Sequence, residues 1–415
     1  MISLPDTASL LPQVQPLANG ASLYVLPSAS TELVRLDFLH EAGAAYQPQP
    51  LCAAATNRLF TAAAGQMSAI EMSEFFDFRG IVVEHNPDQL TSTTTFYFLR
   101  RYLDELMPVL DAVLTAPTFP EEDLAAYRHK RKQELQAAQL KTGETARRIF
   151  YQALFGPDHP LGRYATPDDA DRLTRQLLLS YFRERDTSMD IVLSGNVNHE
   201  VIEKVSSLSR ISRLSRISRI SSLSRESSLS SPSSLSQPVL GATQTTLRVG
   251  RVLPLSWDDP DYSHFMILTT LLGGYFGSRL MSNLREDKGF TYGVAARTQI
   301  YRGVIVFYIT TDVAAGTADA AEQEIRHELQ RLCDEPVEKE ELELVKTVLA
   351  GDFIRSVDGI FERAERFCNM LSTCITERFT DNLRQALEST SAEKLLSLAQ
   401  QFLQPHDMLY CRAGV

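Results

Sequence analysis

The sequence predicts an α+β layered fold built as two similar halves, and three observations carry that expectation. Alternating apolar residues mark short strands. Helical periodicity comes in paired segments without regular βαβ alternation. The same order of elements recurs on either side of a serine-rich insert. At 415 residues the chain is long for one hydrophobic core, so two units of roughly 200 residues each are expected.

In the first half, residues 21–27 (ASLYVLP) and 32–39 (ELVRLDFL) alternate as half-buried strands do. Helical stretches follow at 52–64, ended by Gly65, and 68–79, ended by Gly80. Ser68 followed by Glu71 has the spacing of a capping box. Residues 81–84 and 91–98 read as strands, 101–114 and 121–139 as helices, and 190–194 (DIVLS) as a closing strand. The second half repeats the outline with a strand at 245–253, a helix at 262–272 leading into Gly273–Gly274, strands at 293–300 and 304–311, and a helix at 318–332. The division predicted is 1–203, a linker at 204–238, and 239–415. Within that linker, residues 206–237 place serine and leucine or isoleucine at a period near three, with arginines at 210, 213, 216, 219 and 225. Such composition reads as a low-complexity connector.

Composition narrows the function. Hydrophobic content of 44% and charged content of 22% are ordinary for a globular protein. A net charge of −11 repels phosphate, which argues against nucleic acid or an anionic membrane as partner. The five cysteines (52, 333, 368, 374 and 411) form an odd set without a CxxC pair, so neither a disulfide framework nor a zinc knuckle is expected. The opening residues lack the basic stretch and apolar run of a signal peptide, and no stretch reaches the roughly 20 apolar residues of a membrane span. The expectation is a cytoplasmic chain.

Motifs for autonomous catalysis are missing. Zinc peptidases need two histidines one helical turn apart and a carboxylate to polarise the bound water. Neither HExxH nor HxxEH occurs among the eight histidines; His40–Glu41 opens such a string, but position 44 is alanine. No GxSxG elbow and no GxxxxGK[ST] phosphate loop is present either.

Two other stretches carry a resemblance. Residues 53–60 read Ala-Ala-Ala-Thr-Asn-Arg-Leu-Phe after two opening strands, residues 155–162 read FGPDHPLG, and residues 277–294 read GSRLMSNLREDKGFTYGV. The chain resembles the M16 (pitrilysin/insulysin-like) zinc peptidases, whose first half carries HxxEH before a Leu-Phe pair and whose second half carries an SRL…LRE…G…Y signature. The resemblance implies two homologous α/β-roll halves, each a mainly antiparallel sheet packed with helices, arranged as a clamshell. On its register the two zinc histidines fall on Ala53 and Asn57 and the catalytic glutamate on Thr56. Glu134 stands where the third ligand would lie, as a relic or as a solvated helix-face charge. His159 reads as a loop residue.

Arg285 and Tyr292 match the family's arginine–tyrosine pair, which binds the substrate backbone and stabilises the oxyanion. A guanidinium and a phenol are donors that can be aimed at developing negative charge. The resemblance implies a chain that binds no metal itself and contributes Arg285 and Tyr292 to peptide hydrolysis. Zinc would come from an HxxEH-bearing homologue in a heterodimer. The alternative is a catalytically inactive scaffold, alone or as a homodimer, that binds peptides or a partner.

Overall fold

In the computed structural model, the structure describes residues 4–17, 22–184, 189–208, 223 and 234–415. Eleven strands among them form two mixed sheets. The first contains β1 (Gln13–Pro16), β2 (Ser22–Pro27), β3 (Leu33–His40), β4 (Val82–Pro87), β5 (Ser92–Leu99) and β6 (Met189–Gly195), in the order β1-β2-β6-β3-β5-β4. The second contains β7 (Ser234–Pro238), β8 (Gln244–Leu253), β9 (Thr291–Tyr301), β10 (Val304–Ala314) and β11 (Leu409–Gly414), in the order β7-β11-β8-β10-β9. In both, one parallel pair (β2 with β6, β7 with β11) is followed by three antiparallel pairings. The α+β class and the recurrence of one outline are therefore features of the fold.

Helices cover the sheets. Before the insert run α1 (Thr7–Leu10), α2 (Cys52–Leu59), α3 (Ala69–Arg79), α4 (Leu103–Thr115), α5 (Glu121–Gln139), α6 (Thr142–Phe155), α7 (Pro167–Asp171), α8 (Arg175–Glu184) and α9 (His199–Ser206). After it run α10 (Pro260–Gly273), α11 (Ala318–Asp334), α12 (Lys339–Arg355), α13 (Ile360–Thr373), α14 (Arg378–Ser389) and α15 (Ala392–Phe402). Helix α5 starts on Glu121, Glu122 and Asp123, charges that suit the positive end of a helix dipole, and spans the predicted residues. Helix α3 opens with the expected capping box: the Ser68 hydroxyl accepts from Glu71 N–H, and the Glu71 carboxylate accepts from Ser68 N–H at 2.8 Å.

Some expectations need correction. Helix α2 ends at Leu59 rather than at residue 64, because the backbone of Ala64 is drawn into bridges with Met67 and Pro117. The strand expected at 81–84 runs from Val82 to Pro87. The helix expected at 101–114 begins with a 3₁₀ turn over Arg100–Tyr102. The predicted linker is not wholly a connector: Ser234–Pro238, at its end, pairs in parallel with β11 as an edge strand. Leu223 is buried and donates its N–H to Arg302 O at 2.8 Å. The remainder of the predicted low-complexity stretch, 209–222 and 224–233, lies outside the described residues.

Each sheet packs one face on helices nearby in sequence and the other on a helix from across the insert. The first core joins Leu36, Phe38, Phe96 and Phe98 to α2 and α4. The same sheet's opposite face receives α13, where Tyr24, Leu26, Leu39 and Val192 meet Ala364, Phe367 and Cys368. Reciprocally, α6 lies on the second sheet, with Phe150, Tyr151 and Leu154 against Val304, Val306, Leu409 and Cys411. The α13 contact is pinned by charge: buried Arg35 makes a two-pronged contact with Asp37 and also reaches Glu365 at 2.6 Å and Phe361 O at 3.1 Å. Burial pushes the Asp37 carboxyl up, and the bonds from Arg35 and the Thr95 hydroxyl oppose that push. The β9–β10 hairpin adds a second pin, where buried Arg302 donates to Glu41 at 2.6 Å.

Candidate functional site

Helix α2 packs against β4, β5, α5 and α8. The three positions expected to correspond to a zinc site face this packing: Ala53 is 2% exposed, and Thr56 and Asn57 are fully buried. The Asn57 amide is committed to the sheet. Its Nδ2 donates to Thr93 O at 3.3 Å, and its Oδ1 accepts from the Thr94 hydroxyl at 3.2 Å and lies 3.2 Å from His85 Nδ1. His85 Nε2 in turn lies 3.2 Å from the Thr61 hydroxyl.

These residues do not fit zinc. The Ala53 methyl has no donor atom, the Asn57 oxygen is already satisfied, and burial pushes the neighbouring Cys52 thiol up to about 12, away from the thiolate that metals bind. Glu134 lies on α5 in an ion pair with Arg131 at 2.9 Å, its side chain 45% exposed. Among the described residues, no group of three His, Cys, Asp or Glu side chains could hold a metal ion. His159 sits in the loop after α6, stacked on Phe155 with centroids 4.8 Å apart.

The second-half segment is built differently. Helix α10 ends at Gly273, whose backbone lies so close to β9 that a Cβ there would meet Ala296 N at 2.6 Å. Only glycine permits that approach. Arg279 then anchors the chain to α12 through a two-pronged contact with Glu341 at 2.8–2.9 Å. Asn283 donates to Glu324 and Glu328 of α11 at 3.0 and 2.8 Å. Held by these anchors, Met281–Asp287 winds as a π-helix, an uncommon geometry that concentrates at functional sites. Gly289, at φ +64°, turns the chain from this helix into β9.

Arg285 projects from the π-helix with its guanidinium 4.7 Å from the Phe276 ring centroid. Tyr292 follows as the second residue of β9 and is 92% exposed. Beside them lies an open cleft of about 440 Å³, lined by Gly273, Gly274, Tyr275, Phe276, Met281 and Arg297 among others. Phe276 is 62% exposed. It was not among the residues singled out from sequence; an aromatic pair set between Gly274 and Gly277, just before the SRL string, is the signal that marks it. The described geometry thus offers an exposed guanidinium on the π-helix, an exposed phenol at the start of the edge strand β9 and an apolar ring in the loop after α10. Such a group can bind an extended polar backbone and place donors on an oxyanion.

Fold and segment together define a two-sheet α+β chain with a buried α2 and an open arginine–tyrosine segment. Residues 172–349 match the family model described as the peptidase M16 inactive domain. An uncharacterized zinc protease of Mycobacterium leprae is 26% identical over 61% of this chain and 58% of its own length. The chain spans little more than half the length of the curated relatives it matches first. Among solved structures, a peptidase M16 inactive domain from Pseudomonas fluorescens superposes with a TM-score of 0.83 at 20% identity, over 97% of this chain and 98% of that one. A protease from Helicobacter pylori gives 0.84 at 16% identity, over 98% and 100%. Residues 172–349 are thus similar to the M16 peptidases, and the fold of the whole chain is similar to that of solved M16 structures. No helix among the described residues is long and apolar enough to cross a membrane.

Proposed function

We propose that this chain is the non-metal-binding subunit of a two-chain M16 peptidase. It supplies Arg285 and Tyr292, while an HxxEH-bearing homologue supplies zinc and the attacking water. The observation that carries this reading is the exposure of Tyr292 and Arg285 beside an open cleft in a chain whose α2 offers no metal ligand. The Arg285 guanidinium would hold a peptide carbonyl of the bound substrate, and the Tyr292 phenol would donate a hydrogen bond to the oxygen as it gains charge. Phe276 keeps the guanidinium oriented from one side. The halves at 1–203 and 239–415 would act as one clamshell facing the partner. The five unpaired cysteines, four of them buried, favour a reducing cytoplasmic setting.

The test is co-purification with the HxxEH homologue from the native source, followed by a peptidase assay with and without chelator. Tyr292→Phe should cut kcat by about 10²–10³ while the complex still assembles. An unchanged kcat would remove the assigned role. A second reading, a peptide-binding scaffold without catalytic part, draws on the inactive-domain description of residues 172–349. It predicts a homodimer that binds peptides and gains no activity from any HxxEH chain.

A further inference from the structure

A larger cavity lies away from Arg285 and Tyr292, where α13 crosses onto the first sheet. It encloses about 880 Å³ between β3 and β5 on one side and α10, α13 and the far end of β9 on the other. That is the size range of small-molecule sites, which combine an apolar lining with a few placed polar groups. Its apolar wall includes Tyr97, Met266, Ile300, Phe361, Met370 and Phe379.

The charges around it are not equivalent. Arg35 is saturated by Asp37 and Glu365. Arg366, on α13, has no carboxylate within 4 Å among the described residues; its recorded hydrogen bond is a long one, 3.4 Å to the Thr380 hydroxyl. Its guanidinium rests 4.4 Å from the Phe353 ring centroid and 5.9 Å from that of Phe379. Burial pulls its pKa down, the direction expected of a cation taken from water without an anion to replace it. Five N–H donors in a planar fork, only one with a recorded partner, form a receptor for a carboxylate. Asp88, Glu362 and Glu365 also line the cavity and repel any anion not held directly on the guanidinium, so a second negative charge would be opposed.

We propose that this cavity binds a singly charged carboxylate with an apolar or aromatic body, the carboxylate on Arg366 and the body against Tyr97, Met266 and Met370. The acid can be a free amphiphile or the C-terminal carboxylate of a peptide, which present the same chemistry. The site is separate from the arginine–tyrosine segment and stands without the peptidase reading.

Calorimetric titration of the full chain tests it, with 4-phenylbutyrate, 4-phenylbutyramide and an N-acetylated Leu-Leu-Phe peptide bearing a free carboxylate or a C-terminal amide. At least one acid should bind at one equivalent, roughly tenfold or more tighter than its own amide, as one charge-assisted pair allows. Whichever acid binds more tightly identifies the source. Arg366→Gln should erase the acid–amide difference, Arg366→Lys should keep part of it, and 4-phenylbutyl phosphate should bind more weakly than the carboxylate. If Arg366→Gln fails to fold, Asn369→Trp, which fills the cavity from its rim, should abolish binding instead. Equal affinity for acid and amide, no saturation at millimolar ligand, or binding lost in Arg285→Ala but kept in Arg366→Gln would overturn the assignment.

Discussion

Helix α2 and the segment from Gly273 to Val294 have opposite physical character. On α2 the critical positions are shut inside the core, with Ala53 at 2% exposure and Asn57 tied to Thr93, Thr94 and His85. On the second segment, Tyr292 is 92% exposed and Arg285 is held by ring contact with Phe276. Around Asn57 the interior of α2 is filled with hydrogen bonds that tie the helix to the sheet. Nothing comparable has closed the second segment. The contrast teaches that one segment is given over to packing, while the other keeps the exposure that contact with another molecule requires.

The largest effect should come from trying to reverse the closed side. Ala53→His, Thr56→Glu and Asn57→His together place bulk and a charge where no space or solvent exists, so a loss of at least about 3 kcal/mol is expected from chemical denaturation. One tightly bound zinc per folded triple variant would break the comparison. Next in size is Arg285→Ala in the proposed two-chain enzyme, where turnover should fall by about 10²–10³. The denaturation midpoint of the free chain should stay within about 0.5 kcal/mol of the parent in stability, because an exposed side chain is removed. A matching loss of stability would instead make Arg285 a packing residue.

Asn57→Leu should cost about 1–3 kcal/mol by leaving the Thr94 hydroxyl and His85 ring without their shared acceptor. A neutral result would mean that α2 is less closed than its burial indicates. The smallest effect concerns pH. Burial lowers the His264 pKa from its ordinary 6.5, with Lys394 and Lys346 adding to the shift and Asp261 opposing it. The folded state therefore favours the neutral ring, whose Nδ1 lies 2.6 Å from the Thr390 hydroxyl. This stability is fully present above pH 6.5 and is lost as pH falls through the lower folded value. His264→Gln should flatten that part of the pH–stability curve, and an unchanged slope would place the titration elsewhere.

Much of this arrangement was legible in the sequence, for local reasons. Apolar alternation marked β2 and β3 as strands, although both faces of β3 are buried rather than one because α13 covers the second, and helical periodicity marked α5 from end to end. The Ser68–Glu71 box was readable because capping is a matter of three residues. What escaped is nonlocal. Strand β7 is a polar SLSQP run made a strand only by pairing with Tyr410–Gly414, over 170 residues away. The placement of α6 and α13 on the opposite sheets follows from tertiary packing that no window of sequence contains. The π-helical winding around Arg285 carries no residue signature, since a shifted hydrogen-bond ladder can be made by many side chains.

The crossing of α6 and α13 has a consequence for how this chain can move and be taken apart. A polypeptide cut between residues 209 and 233 would yield two fragments that each lack the cover for one sheet face. The N-terminal piece would show Tyr24, Leu26 and Val192 to water, and the C-terminal piece would show Val304, Val306 and Leu409. Expressed separately they should aggregate; expressed together they should complement each other into one particle. The same interlock forbids the halves from swinging wide about the insert like jaws on a pin. If the proposed peptidase reading holds, an opening that admits a peptide would form against a neighbouring molecule rather than within this chain.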